Sequence, residues 1–159
     1  MLRQVQQFAD AAKAYCSWAE SNSEEQSSQV PAALALLSSL YRLALALPEV
    51  FVEQDSPDIQ DQEWKNVFVR FGSMPFNYYS QCSDPHEVLG ECATADLADD
   101  LADIWRDLKR GLLVFQAGNI EAACWQWRHS FWSHWGQHAT GALYALHGWR
   151  SQHEDAAIP

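Results

Sequence analysis

Positive charge is scarce in this chain: ten Lys and Arg stand against twenty-one Asp and Glu in 159 residues, leaving a formal charge of −11. A phosphate backbone or an anionic bilayer is repelled by such a surface, which excludes nucleic acid and membrane surfaces as partners. Cysteine is also sparse. Cys16, Cys82, Cys92 and Cys124 contain no C-x-x-C pair, so neither a zinc knuckle nor a thioredoxin-type redox pair is expected, and most of the thiols read as small buried hydrophobes. No G-x-x-x-x-G-K-[ST], G-x-G-x-x-G or G-x-S-x-G occurs, which removes support for nucleotide-driven and serine-hydrolase chemistry. The opening residues lack the apolar run of a secretory leader, and the expectation is a cytoplasmic protein. Between Arg128 and Arg150 no residue is formally charged, but four His and three Gly make that stretch a poor membrane span.

What is present is helical periodicity. Val5, Phe8, Ala12, Tyr15, Cys16 and Ala19 recur at three-four spacing and predict a first amphipathic helix. After the polar loop Ser21 to Gln29, Pro31 fits the first turn of a leucine-rich second helix that Pro48 stops. An acidic stretch, Glu49 to Glu63, leads to a short third helix through Trp64, Val67, Phe68 and Phe71 that ends near Gly72. Met74-Pro75, Asp84-Pro85 and Gly90 then punctuate a long packed loop, Ser73 to Ala93, which contains Phe76, Tyr78 and Tyr79. Thr94 is the expected N-cap of a fourth helix, and Gly118-Asn119 breaks it from a fifth. The reading is an all-α single domain over residues 1–159: a compact bundle of about five helices without a sheet, its core near residues 2–149. The C-terminal pair forms an antiparallel hairpin, and the tail 150–159 is flexible. No repeat of fixed period supports a solenoid.

The two C-terminal helices hold the residues with chemical potential. Leu97, Leu101, Ile104, Leu108, Leu112 and Phe115 form a core stripe, and Asp96, Asp100, Asp103 and Asp107 a second stripe about 90 degrees away on a helical wheel. Arg106 and Arg110 relieve Asp103 and Asp107 at i,i+3 spacing. On the last helix His134 and His138 stand one turn apart, able to turn nitrogens to one point. The H-E-x-x-H form of metalloproteases is absent, because Gly136 follows Trp135. Arg128 points into an apolar arc with Trp125 and Trp132, where it needs a carboxylate of the fourth helix or an aromatic face. The crowd of tryptophans is read as core packing rather than as a stacking platform.

The strings ADLADDLADIWRDLK (residues 95–109), HWGQHATGALYALH (134–147) and SLYRLALALPE (39–49) resemble a family of small bacterial proteins known as domain of unknown function 5063. The resemblance spans most of the chain and implies a compact helical domain in a bacterial cytoplasm; it brings no activity. The functional expectation is a noncatalytic protein- or peptide-binding domain without a cofactor, engaging its partner near Phe76, Tyr78, Tyr79 and Arg128. The alternative is a metal-binding or metal-dependent hydrolytic protein in which a divalent ion is held by Asp100, Asp103 or Asp107 with His134 and His138. A third arrangement pairs Asp100 or Asp107 with Arg128 as a stability device. Oligomeric state is not legible.

Overall fold

Apolar residues three and four apart build the helices of the computed structural model, which describes residues 2–22, 26–52, 55–82 and 84–153. In chain order these are α1 (Leu2–Glu20), α2 (Gln26–Leu45), α3 (Asp61–Phe71), strands β1 (Tyr78–Cys82) and β2 (Cys92–Asp96), then α4 (Leu97–Gln116), α5 (Ile120–Ser130), a π-helical turn (Phe131–Trp135) and α6 (Gly136–His153). Because α5, the π turn and α6 are continuous, the described residues form five helical rods with one small ribbon, and the all-α expectation holds. Proline 31 lies five residues beyond the start of α2 rather than in its first turn. The expected flexible tail is helical to His153, and residues 154–159 lie outside the described residues.

Helix α4 is the axis of the core. Leu97, Leu101, Ile104 and Leu108 are fully buried there, and α4 packs against α1, α3, α5 and α6. At its far end Gly118 adopts φ of 88°, the left-handed conformation glycine tolerates, and the chain folds back as α5. Asn119 takes the N-cap position of α5 without a side-chain hydrogen bond. Contacts along the hairpin run in opposite chain directions: Trp127 Nε1 donates to the Leu108 carbonyl at 3.1 Å, while His138 reaches back to Asp100. An antiparallel hairpin is therefore present, as expected. Phe8 of α1 packs on Trp127 and Trp135, with ring centroids 5.0 and 6.1 Å apart, so aromatic burial joins α1 to the hairpin. Each such fully buried side chain contributes roughly 1.5–3 kcal/mol.

The expectation of no sheet fails at the long loop. Strands β1 and β2 pair antiparallel from Tyr78 opposite Asp96 to Cys82 opposite Cys92. Cys82 and Cys92 form a disulfide, whereas Cys16 and Cys124 are buried and free as expected of small hydrophobes. Periodicity could not reveal this ribbon, because its residues are mostly exposed and do not alternate. A two-stranded ribbon is marginal alone; here the disulfide closes one end, and the Leu97 amide donates to the Asn77 carbonyl at 2.7 Å at the other. Thr94 belongs to β2, so the N-cap of α4 is Asp96, whose carboxylate accepts from the Ala98 and Asp99 amides.

Candidate metal centre

Asp96 fixes where α4 begins, and the three-four spacing beyond it turns Asp100, Asp103 and Asp107 to one side. All three are buried, at 4%, 9% and 4% exposure, which ionised carboxylates tolerate only with partners. Those partners come from β1, α3, α4 itself, the π turn and α6. The Tyr79 hydroxyl of β1 donates to Asp100 Oδ2 at 2.6 Å. Trp64 Nε1 of α3 donates to Asp103 Oδ1 at 2.8 Å, and Arg106 Nη2 meets the same oxygen at 2.8 Å. Arg110 Nη1 lies 3.6 Å from Asp107 Oδ1.

The remaining oxygens face the histidines. His138 Nδ1 is 2.7 Å from Asp100 Oδ1, and His134 Nδ1 is 2.8 Å from Asp107 Oδ2. An ionised carboxylate only accepts, so each Nδ1 carries a proton, and in the neutral imidazole Nε2 keeps its lone pair. Those two Nε2 atoms point at one another across 3.3 Å, and Asp103 Oδ2 lies 3.6 Å from His134 Nε2 and 3.8 Å from His138 Nε2. Three electron-pair donors thus converge on one small space. Asp103, His134 and His138 are the one group of three such residues, among those described, whose ligand atoms lie within 4.8 Å of each other.

Electrostatics follow this geometry. The hydrogen bond to Asp100 raises the His138 pKa above its ordinary value; burial opposes the rise, and the charges of Asp100, Asp103 and Asp99 add to it. Asp99 is itself raised, by burial first and then by Asp103 and Asp100. Burial and the bond to Asp100 push the Tyr79 phenol upward, so it remains a donor.

The π turn and the ribbon shape this corner. At the end of the turn the Gly136 amide reaches the Phe131 carbonyl, and a Cβ at position 136 would overlap that oxygen. A Cβ at Gly141 would likewise overlap the Tyr79 hydroxyl, so α6 presents a bare backbone where the ribbon docks. Asp100, Asp103, Asp107, His134 and His138 therefore come together, and the expected relief of Asp103 and Asp107 by Arg106 and Arg110 is present.

The other expected binding residues disperse. Tyr79 joins the cluster through Asp100, Phe76 stacks on Trp149 with centroids 6.4 Å apart, and Tyr78 is exposed. Arg128 lies elsewhere and donates to the Leu47 carbonyl at 3.1 Å. The proposed pairing of Arg128 with Asp100 or Asp107 is overturned, because the histidines occupy the carboxylate oxygens facing α6. Tryptophan 132, expected in the apolar arc, is 61% exposed and with Phe51, Trp125 and Arg128 lines an open cavity of about 620 Å³. Sequence reasoning missed Trp64 and Tyr79 as partners of the aspartates, since α3 and the ribbon carry no periodic signal aimed at α4.

The family model described as Domain of unknown function (DUF5063) matches residues 2–152, and the chain belongs to that family. The crystal structure of protein BF1032 from Bacteroides fragilis superposes with a TM-score of 0.77 at 24% identity, covering 98% of this chain and 96% of that one. That likeness shows a shared fold. No curated protein matches the chain. No helix among the described residues is long and apolar enough to cross a membrane.

Proposed function

We propose that this member of the DUF5063 family is a metal-binding helical protein in which His134, His138 and Asp103 hold one divalent transition-metal ion. The observation that carries the reading is the convergence of two Nε2 lone pairs and one carboxylate oxygen. Two ligands about 2.05 Å from a tetrahedral ion lie about 3.3 Å apart, and the two Nε2 atoms are separated by 3.3 Å. The carboxylate oxygen, at 3.6 and 3.8 Å, needs to move inward by only a few tenths of an ångström. Asp107 and Asp100, each accepting from an Nδ1, orient the imidazoles and raise their basicity, as outer partners do in metal sites. Trp64 and Arg106 hold Asp103 by its other oxygen. Three protein ligands leave a coordination position for water or substrate, and the His134 side chain is 40% exposed there.

Such an ion would polarise a bound water or oxygen, the chemistry of metal-assisted hydrolysis. The test is titration of EDTA-treated protein with Co²⁺, read by visible absorption and calorimetry. One equivalent is expected to bind, with affinity lowered at least about 100-fold in His134→Ala and in Asp103→Asn, a cost of about 2.7 kcal/mol. Wild-type protein that takes up no stoichiometric Co²⁺, Zn²⁺, Mn²⁺ or Ni²⁺ would leave a proton shared between the two Nε2 atoms as the content of the cluster and end the proposal.

A second reading, a protein- or peptide-binding domain, is supported by the cavity that Phe51, Trp125, Arg128 and Trp132 line together, aromatic residues and an arginine being common interface anchors. Its anchors would be Trp132 and Phe51. Under this reading Trp132→Ala abolishes capture of a stoichiometric partner from host extract while Co²⁺ binding is unchanged; equal capture by the variant would remove this surface from consideration.

A further inference from the structure

We infer that the ligand presented to this centre is a small tetrahedral oxyanion of the phosphate or phosphomonoester class, seated on Arg106 and Arg110; this rests on the metal reading above. A cavity of about 470 Å³ adjoins the cluster, with Arg106, Arg110, Asp107 and His134 on the α4 and π-turn sides and Gln126 and Ser130 on the α5 side. That volume suits a small molecule. Among the described residues, the buried side-chain nitrogens and oxygens without a hydrogen-bond partner are two, Arg106 Nε and Arg110 Nε. Buried donors are ordinarily satisfied; the two Nε–H groups are covered and unmatched within the protein, on guanidiniums whose residues both line this cavity.

Charge selects the kind of acceptor. At this end of the cluster Asp103 and Asp107 are balanced by Arg106 and Arg110. A bound dication adds positive charge beside the two guanidiniums, which favours an anionic acceptor at this end, although Asp99 and Asp100 bring the cluster as a whole to neutrality. Asp99 and Asp100 lie toward the opposite end, beside His138. Each guanidinium makes one ion pair with its aspartate and keeps further donors in a planar fork, the shape that matches phosphate oxygens in pairs. Arg106 is the more constrained, since it also lies 5.7 Å from the Trp64 ring; Arg110, whose contact with Asp107 is 3.6 Å, has the looser attachment. A small adjustment of Arg110 would turn its fork to an oxyanion whose remaining oxygen meets the open position of the metal. Ser130 and Ser133 donate their hydroxyl protons to the Gln126 and His129 carbonyls, so the guanidiniums supply the recognition.

The experiment is calorimetric titration of inorganic phosphate into Co²⁺-loaded protein, with Co²⁺ affinity measured separately for every variant. Saturable phosphate binding is expected in the wild type, weakened about tenfold or more in Arg110→Met and less in Arg110→Lys, which keeps the charge without the fork. Phosphate titrations are run at saturating Co²⁺ for each variant, so Arg110→Lys carries the test if Arg110→Met perturbs the fold. Protein that loads Co²⁺ but shows no saturable phosphate binding, or binds it equally in both variants, overturns this inference and leaves the metal centre standing. Failure of Co²⁺ to bind at all overturns both, and the two failures are read from separate titrations.

Discussion

Each buried carboxylate divides its two oxygens between a structural partner and the cluster's interior. Asp100 accepts from Tyr79 and His138, Asp103 from Trp64 and Arg106 while its other oxygen faces the imidazoles, and Asp107 pairs with Arg110 and His134. This division makes His138 a residue through which pH acts on the metal-free protein. Its folded pKa lies above the ordinary value of 6.5. Its contribution to stability is therefore complete below that ordinary value and is lost as pH rises through the raised one. Denaturant midpoints of metal-free protein are expected to fall across that window, with the fall reduced in His138→Gln. Metal affinity is expected to rise over the same window, because the ion and the proton compete for Nε2. A metal-free wild type whose profile matches His138→Gln would show that the histidine does not gain a proton on folding. The aspartate stripe and the His pair were legible residue by residue from three-four spacing, as was the relief by Arg106 and Arg110. The roles of Trp64 and Tyr79 were not, since each approaches from an element whose direction local sequence does not encode.

At the scale of elements, the β1–β2 ribbon and the π turn are the two features that periodicity could not show. The ribbon is short, mostly exposed and held by a disulfide and by docking on α6, so it carries no alternating apolar code. The π turn accommodates the packing of Phe131 and Trp135 while Gly136 accepts the close carbonyl, a shift that looks like ordinary helix in the one-dimensional pattern. Docking of the ribbon depends on Gly141, over which the Tyr79 hydroxyl sits. Gly141→Ala is expected to push Tyr79 off Asp100 and cost about 1–3 kcal/mol of stability as overpacking. Metal affinity is expected to fall roughly tenfold, because an outer partner of the His138 ligand is released. Equilibrium unfolding and Co²⁺ titration check the two parts; Tyr79→Phe, which removes the hydroxyl without the clash, should reproduce the affinity loss and little of the instability. Equal affinity in both variants would show that Tyr79 does not tune the centre.

Over the whole molecule the metal proposal has a thermal consequence. An ion that binds the folded state alone stabilises it by about 2.7 kcal/mol at 100-fold excess over its dissociation constant, which for a chain of this size raises the melting temperature by roughly 5–10 °C. The rise is expected in wild type and absent in Asp103→Asn. The acidic surface, at −11, is consistent with attraction of cations over long range, while the anion site needs the ion in place to become positive. Hydrophobic spacing by itself determined the helices, the Gly118-Asn119 turn and the antiparallel hairpin, because those follow from contacts within a few residues and from which helical face is apolar. Tertiary structure alone decided that α3, the ribbon and α6 converge on the aspartates of α4, that Arg128 faces another cavity, and that two imidazole Nε2 atoms face one carboxylate. Those outcomes depend on how helices rotate and slide against each other, a choice made by the packing of Phe8, Trp127 and Trp135 in three dimensions rather than by any local run of residues.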